Sequence, residues 1–157
     1  MDKIKVGGII ENTYLAAIGV LGMRSRPGTA AAILGALGKA GINVQFIVQC
    51  LDDRGFDHVA LCVERDDLAA ALDVIGQAQA HVGATSVRSH SDVCIVSVFG
   101  PDFRERPAIA GTMFEALASS GINILAISTS ISTVSCVIAG EHRDKASAAI
   151  KAVFDLP

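Results

Sequence analysis

Residues 24–47 read RSRPGTAAAILGALGKAGINVQFI, and residues 104–127 read RERPAIAGTMFEALASSGINILAI. The two stretches are offset by 80 positions, as Arg26 and Arg106 show. In that register Arg24 meets Arg104, Arg26-Pro27 meets Arg106-Pro107, and Ala36-Leu37 meets Ala116-Leu117. Gly41-Ile42-Asn43 meets Gly121-Ile122-Asn123, and Ile47 meets Ile127. An alanine-rich composition yields stray alanine matches. It does not yield Arg-Pro and Gly-Ile-Asn in one register, so the chain holds two copies of one unit.

Working outward from the repeat, the first copy reads as β-α-β-β-α-β. Leu15–Val20 is apolar, bounded by glycines, and reads as a strand. Arg26-Pro27-Gly28 is a turn, and proline suits a helix start. Ile33, Leu34 and Leu37 recur at helical spacing through Thr29–Ala40. Gly41 stops that helix. Val44–Gln49 and Phe56–Val63 read as strands about the Asp52-Asp53-Arg54-Gly55 turn, with Val59, Leu61 and Val63 alternating to one face. Asp66-Asp67 opens a second helix with Leu68, Ala71, Leu72 and Ile75 inward, and Ser86–Ser89 is a short last strand. The second copy repeats the plan, with strands at Val93–Val98, Ile124–Ser128 and Thr133–Ala139 and helices at Ile109–Ser120 and Arg143–Phe154.

The second copy lacks a fourth strand, and the start of the chain has a spare one, Ile4–Ile10. That strand is expected to complete the second sheet, which otherwise leaves an edge unpaired. The expected organisation is a first unit over 15–91, inserted into a discontinuous second unit of 1–14 plus 92–157. The fold class is α+β: two ferredoxin-like βαββαβ units with antiparallel sheets and helices on one face.

Composition narrows the function. The chain has 157 residues, of which 51% are apolar and only 18% charged, with mean hydropathy +0.49. Charge usually reaches roughly 25%. Surface hidden in a homo-oligomer is the first expectation. No apolar run is long enough to span a membrane, and the N-terminus lacks the apolar stretch of a signal peptide. A net charge of −3 with 4% aromatics gives neither a basic footprint nor stacking platforms for nucleic acid. Cys50, Cys62, Cys94 and Cys136 are scattered, and read as buried free thiols in a reducing cytoplasm. His58, His81, His90 and His142 share no metal-ligand spacing, and neither a P-loop nor a Gly-x-Ser-x-Gly occurs. No catalytic residue, metal or cofactor is expected.

The repeated turns offer binding chemistry. Backbone N–H groups at a helix start, with the helix dipole, favour an anion such as a carboxylate. Asn43 and Asn123 sit at helix-to-strand junctions, where they either cap a turn or meet a ligand. Gln45 and Gln49 share one strand face, opposite Phe46 and Val48, and either meet solvent or a ligand.

These residues resemble paired ACT domains, and more closely the regulatory region of aspartate kinase, including its separately made β subunit. The matching runs are Arg26-Pro27-Gly28, Gly41-Ile42-Asn43-Val44, Ile47-Val48-Gln49, Pro107, Met113–Leu117, Gly121-Ile122-Asn123-Ile124 and Ile127-Ser128-Thr129-Ser130. The last is fairly specific to that family. Val6-Gly7-Gly8-Ile9 resembles the segment that joins the second ACT sheet there. The resemblance implies a cytoplasmic homodimer that binds an end-product amino acid, lysine or threonine, between domains. Binding shifts an attached or associated aspartate kinase catalytic domain or subunit to an inhibited state; no kinase domain is expected in this chain.

The implied effector contacts in the first copy are Ser25, Arg26, Pro27, Gly28, Thr29 and Ala30 for the carboxylate, with Asn43, Val44, Gln45 and Gln49 for the amine and side chain. Their counterparts are Arg106, Pro107, Ala108, Ile109 and Ala110, with Asn123, Ile124 and Leu125. The sequence departs from the family pattern at Ser25 and Gln45, where acids are usual, and at Cys50, Ala108 and Ile131; the turn at Pro101–Glu105 is one residue longer. Losing the acids removes partners for an ammonium group. The alternative is a stand-alone ACT dimer, sensing or docking with a partner other than aspartate kinase. An RNA-binding ferredoxin-like domain fails on charge and aromatics.

Overall fold

The apolar N-terminal segment, expected as one strand, is two. In the computed structural model, which describes residues 2–157, β1 (Ile4–Lys5) stops before Val6 and β2 (Gly8–Arg24) starts after Gly7. The ring of Phe99 lies against this break. A Cβ on Gly7 would fall 2.9 Å from Phe99 Cε2, and one on Gly8 2.8 Å from Phe99 Cε1. Glycine is required there for close approach.

The next elements follow the expected order, with shifted ends. They are α1 (Thr29–Lys39), β3 (Phe46–Leu51), β4 (Phe56–Glu64) and α2 (Leu68–Val82). Arg65–Asp67 is a single 3-10 turn, so the second helix opens after Asp67 rather than at Asp66. The expected strands Ser86–Ser89 and Val93–Val98 are one strand, β5 (Ser86–Phe99). His90-Ser91-Asp92 contains neither glycine nor proline to interrupt it. Then come α3 (Ile109–Ser119), β6 (Ala126–Thr129), β7 (Thr133–Ala139), α4 (Arg143–Val153) and β8 (Phe154–Asp155). Phe154, expected in the last helix, is extended at φ −108°, ψ 150°. β8 pairs parallel with β1, Ile4 against Phe154, and both Val6 and Phe154 are buried.

The chain divides into two compact units, Tyr14–Asp92 and the segment up to Thr13 with Val93–Pro157. The division falls inside β2 and inside β5. In the first the strand order is β3-β4-β2-β5, with Ile18 against Leu61, Val20 against Val59 and Ile47 against Leu61 in antiparallel register. In the second it is β2-β5-β7-β6, with Val96 against Cys136 and Val98 against Val134. Helices cover one sheet face in each. Ile33, Leu37, Ala71 and Ile75 pack on Ile18, Val20, Val59 and Leu61; Met113, Leu117, Ala146 and Ile150 pack on Val96, Cys136 and Ile138. The helical face is set by spacing: Thr29, Ile33 and Leu37 are buried on α1, and Ile109, Met113 and Leu117 on α3.

Gly-Ile-Asn ends both first helices with the same cap. Gly41 (φ 72°) and Gly121 (φ 68°) are left-handed. Their N–H groups donate to Gly38 O and Ala118 O, and those of Ile42 and Ile122 to Leu37 O and Leu117 O, at 2.9–3.0 Å. This is the Schellman arrangement, with Ile42 and Ile122 buried as its apolar contact.

Candidate functional site

In the first unit the turn between β2 and α1 is pinned from inside. Thr29, buried, donates its hydroxyl to Arg24 O (2.8 Å) and Arg26 O (3.1 Å). Gly28 precedes the helix at φ 99°, a left-handed angle that suits glycine. No side chain caps α1 and no acid lies in its first turn. Thr29 N donates to Arg26 O and Ala32 N to Gly28 O, which leaves the N–H groups of Ala30 and Ala31 without a side-chain acceptor at the positive end of the helix, where an anion is favoured.

The Arg26 side chain has a structural role. Its Nη2 donates to His81 O in the last turn of α2 at 2.7 Å, and Arg24 lies over Gly83. Both guanidinium groups thus sit at the negative end of α2. Arg106 in the second unit also bonds a carbonyl, donating through Nη1 to Lys5 O on β1 rather than to a helix end. Each of the two arginines thus ties its turn to another element of the same unit.

The expected contacts separate into two ends. α1 has 11 residues, which is about 16 Å at 1.5 Å per residue. Ser25–Ala30 lies at its start, and Asn43, Val44 and Gln45 lie beyond its end. That span exceeds any amino acid, so one unit does not bring the two groups together. Asn43 is exposed and Val44 is half-buried against the core. Gln49 is exposed on β3 opposite Val59, on the α1 side, toward the end of the sheet where α1 begins.

The same end carries a residue the sequence reading missed. Asp57 on β4 stands opposite Met23 on β2 and Leu51 on β3, and is only 6% exposed. Among the described residues none bonds or ion-pairs with its carboxylate. The signal was available, since Asp57 shares the alternation of Val59, Leu61 and Val63 when that strand is read one step back.

In the second unit Arg106–Ala110 borders a cavity of about 450 Å³ lined by Ile4, Lys5, Arg106, Pro107 and Ala108. Ala108 has φ −83°, so the turn differs from that at Gly28, and a 3-10 turn, Phe103–Glu105, precedes it. The Ile109 side chain is buried in the core and Ala110 is half-buried. Asn123 and Leu125 are exposed and Ile124 packs on the core, again at the far end of an 11-residue helix. Matching Cys136 to Leu61 by their pairing with Ile127 and Ile47 places Ser132, which is exposed, where the first unit has Asp57.

The remaining polar groups are mostly structural. Asp52 accepts from the N–H groups of Arg54 (2.8 Å) and Phe56 (2.9 Å) and contacts His58 Nε2 (2.8 Å). The Phe56 N–H, then His58, holds its carboxyl below the usual range. Gly22 N donates to His58 Nδ1 at 3.1 Å. Cys62, Cys94 and Cys136 are buried as expected, but Cys50 is exposed because β3 is an edge strand. Burial pushes the Cys62 and Cys136 thiols up to about 12. Among the described residues no three His, Cys, Asp or Glu side chains are grouped to hold a metal ion, and no helix is long and apolar enough to cross a membrane.

A family model described as ACT domain matches residues 17–79 and again 96–154. The chain belongs to the ACT domain family. It is 33% identical over 156 residues to an aspartokinase of Pseudomonas aeruginosa, covering 99% of this chain and 38% of that protein. Among solved structures it is similar to the ligand-free regulatory subunit of aspartate kinase from Thermus thermophilus. The TM-score is 0.86 and the identity 31%, over 96% of this chain and 99% of that one. A chain of a structure of aspartokinase alpha and beta subunits matches at 34% identity and TM-score 0.86, over 94% and 97%. The two ACT units are thus of the kind found in the regulatory part of aspartate kinases. The chain spans 38% of the length of the curated relatives it matches.

Proposed function

We propose that this chain is the amino-acid-binding regulatory module of an aspartate kinase, mediating feedback inhibition by lysine or threonine in aspartate-family biosynthesis. The observation that carries the reading is the likeness, over nearly the whole chain, to regulatory subunits of that kinase. Its partner is an aspartate kinase catalytic domain or subunit, in the cytoplasm. The effector carboxylate would sit on the N–H groups of the Ser25–Ala30 turn, with Gln49 beside it.

A homodimer fits the split contacts. One unit keeps the turn and Asn43 about 16 Å apart. A second copy that lays its Asn43 junction against this turn would let both reach one effector. The edge strands β3 and β6 expose Ile47, Leu51 and Ile127, and Leu125 just before β6 is exposed too, apolar surface of the kind such a contact covers. Calorimetric titration with lysine, threonine, methionine and isoleucine tests the reading. Saturable heat with at least one is expected; no heat and no thermal shift with any of them overturns it.

A further inference from the structure

We propose that Asp57 is the ammonium partner for an α-amino acid at the Gly28 turn, and that the first unit therefore holds the amino-acid site. This rests on the amino-acid-binding reading above and names the residue that recognises the amine. Two observations converge. α1 begins without a side-chain cap, so its first N–H groups favour a carboxylate. Asp57 is a carboxylate more than nine-tenths buried, with no bonding partner among the described residues. The Asp57 side chain is largely enclosed while its carboxylate oxygens still reach solvent, so an ammonium group from outside can approach and pair with them.

The register puts the two together. Asp57 stands opposite Met23, whose side chain packs in the α1-side core. The next residue on β2, Arg24, holds Thr29 at the helix start through its carbonyl. N–H donors and a carboxylate thus lie at one end of one sheet face, complementary to a zwitterion. Gln49, one alternation step from Leu51 on the same face, is placed to meet the effector side chain. This arrangement supplies the acid missing at Ser25 and Gln45. The second unit has exposed Ser132 at the matching place and no left-handed glycine at Ala108.

The test compares the chain with Asp57→Asn. Each amino acid that binds among lysine, threonine, methionine and isoleucine is titrated against its des-amino analogue, which keeps carboxylate and side chain. The native chain is expected to bind the amino acid roughly ten- to hundredfold more tightly than the analogue, the range of a hydrogen bond to a charged group. Asp57→Asn should lose that preference and bind the analogue as before. If Asp57→Asn does not fold, Asp57→Ser, the residue of the second unit, carries the same readout. An unchanged preference in a folded variant overturns the assignment of Asp57 alone. Failure of the native chain to bind any of the four overturns the amino-acid reading and this inference with it.

Discussion

Gly22, Gly41 and Gly121 have nearly the same backbone, φ 68°, 72° and 68°, yet different surroundings. A Cβ on Gly41 or Gly121 would meet nothing within 4 Å, whereas one on Gly22 would fall 2.2 Å from Thr85 Oγ1. Replacing each by alanine separates backbone strain from collision. A left-handed angle costs an L-residue about 1–2 kcal/mol. The stiffer unfolded chain returns about 0.4–1 kcal/mol. Gly41→Ala and Gly121→Ala should therefore each lose about 1 kcal/mol, and the double variant about 2, because they cap helices in separate cores. Gly22→Ala adds a collision of about 1–3 kcal/mol. Thr85→Ala in that background should recover most of the added part. Urea unfolding at one fixed protein concentration measures all five, with an unchanged m-value showing that only stability moved. Equal losses at Gly22 and Gly41 would refute the steric argument, and no loss at Gly41 and Gly121 would refute the cap.

The other predictions concern the thiols, the Asp52 carboxylate and the Tyr14 contact. A thiol reagent at pH 8 should label Cys50 in the folded chain and spare Cys62, Cys94 and Cys136 until it unfolds, since they are buried and the Cys62 and Cys136 thiols are pushed up to about 12; mass spectrometry counts the labels. Asp52 has a folded-state carboxyl lowered by the Phe56 N–H and by His58, so its contribution is present above its unfolded value of about 3.9 and is lost as pH falls through the lower folded value. The gap in Tm between the native chain and Asp52→Asn should accordingly close on acidification, and a gap constant from pH 7 to 3 would reject the assignment. Tyr14 sits at φ 61°, with its hydroxyl donating to Asp66 Oδ1 (3.0 Å) and Arg65 4.4 Å over its ring. A double-mutant cycle with Tyr14→Leu and Arg65→Met should give a coupling of about 0.5–1 kcal/mol, and zero coupling would remove the stacking from the account.

What the sequence exposed, and what it hid, follows from how local each signal is. The helices were legible because Ile33 and Leu37, or Met113 and Leu117, repeat at the helical period and a left-handed glycine follows. β7 matched at both ends, since Thr133–Ala139 alternates between turns. β1 and β8 were not legible: two residues each, paired across the length of the chain, carry no period. The continuous β5 was missed because a polar stretch looks like a break when its neighbours are unknown. Tyr14 gave no sign either, for nothing local marks a tyrosine as left-handed; Asp66 and Arg65, 52 and 51 positions away, hold it there. The candidate site was half legible. Residue type picked out the turn and Gln49, and the junction at Asn43 was read, but not that the length of α1 keeps Asn43 out of reach of the turn within one unit. It also passed over Asp57, whose interest lies in being buried rather than in being an acid.

The two copies suggest a further distinction. At several positions where they are identical, the structure gives a folding reason. Arg26 and Arg106 bond carbonyls, Gly41 and Gly121 close helices, and Ile42 and Ile122 fill the cores behind those glycines. These positions answer to the same backbone geometry in each unit, so neither copy is free to change them. The positions that surround the start of α1 and α3 are different: Gly28 against Ala108, Gln49 against Thr129, Asp57 against Ser132. None of them fills a helix–sheet core or closes a helix, so folding leaves them free to diverge. Identity at these arginine, glycine and isoleucine positions thus reports the scaffold, and only the differences are able to give one unit a ligand that the other lacks. The unshared positions at the same end of each unit are where specificity has room to reside.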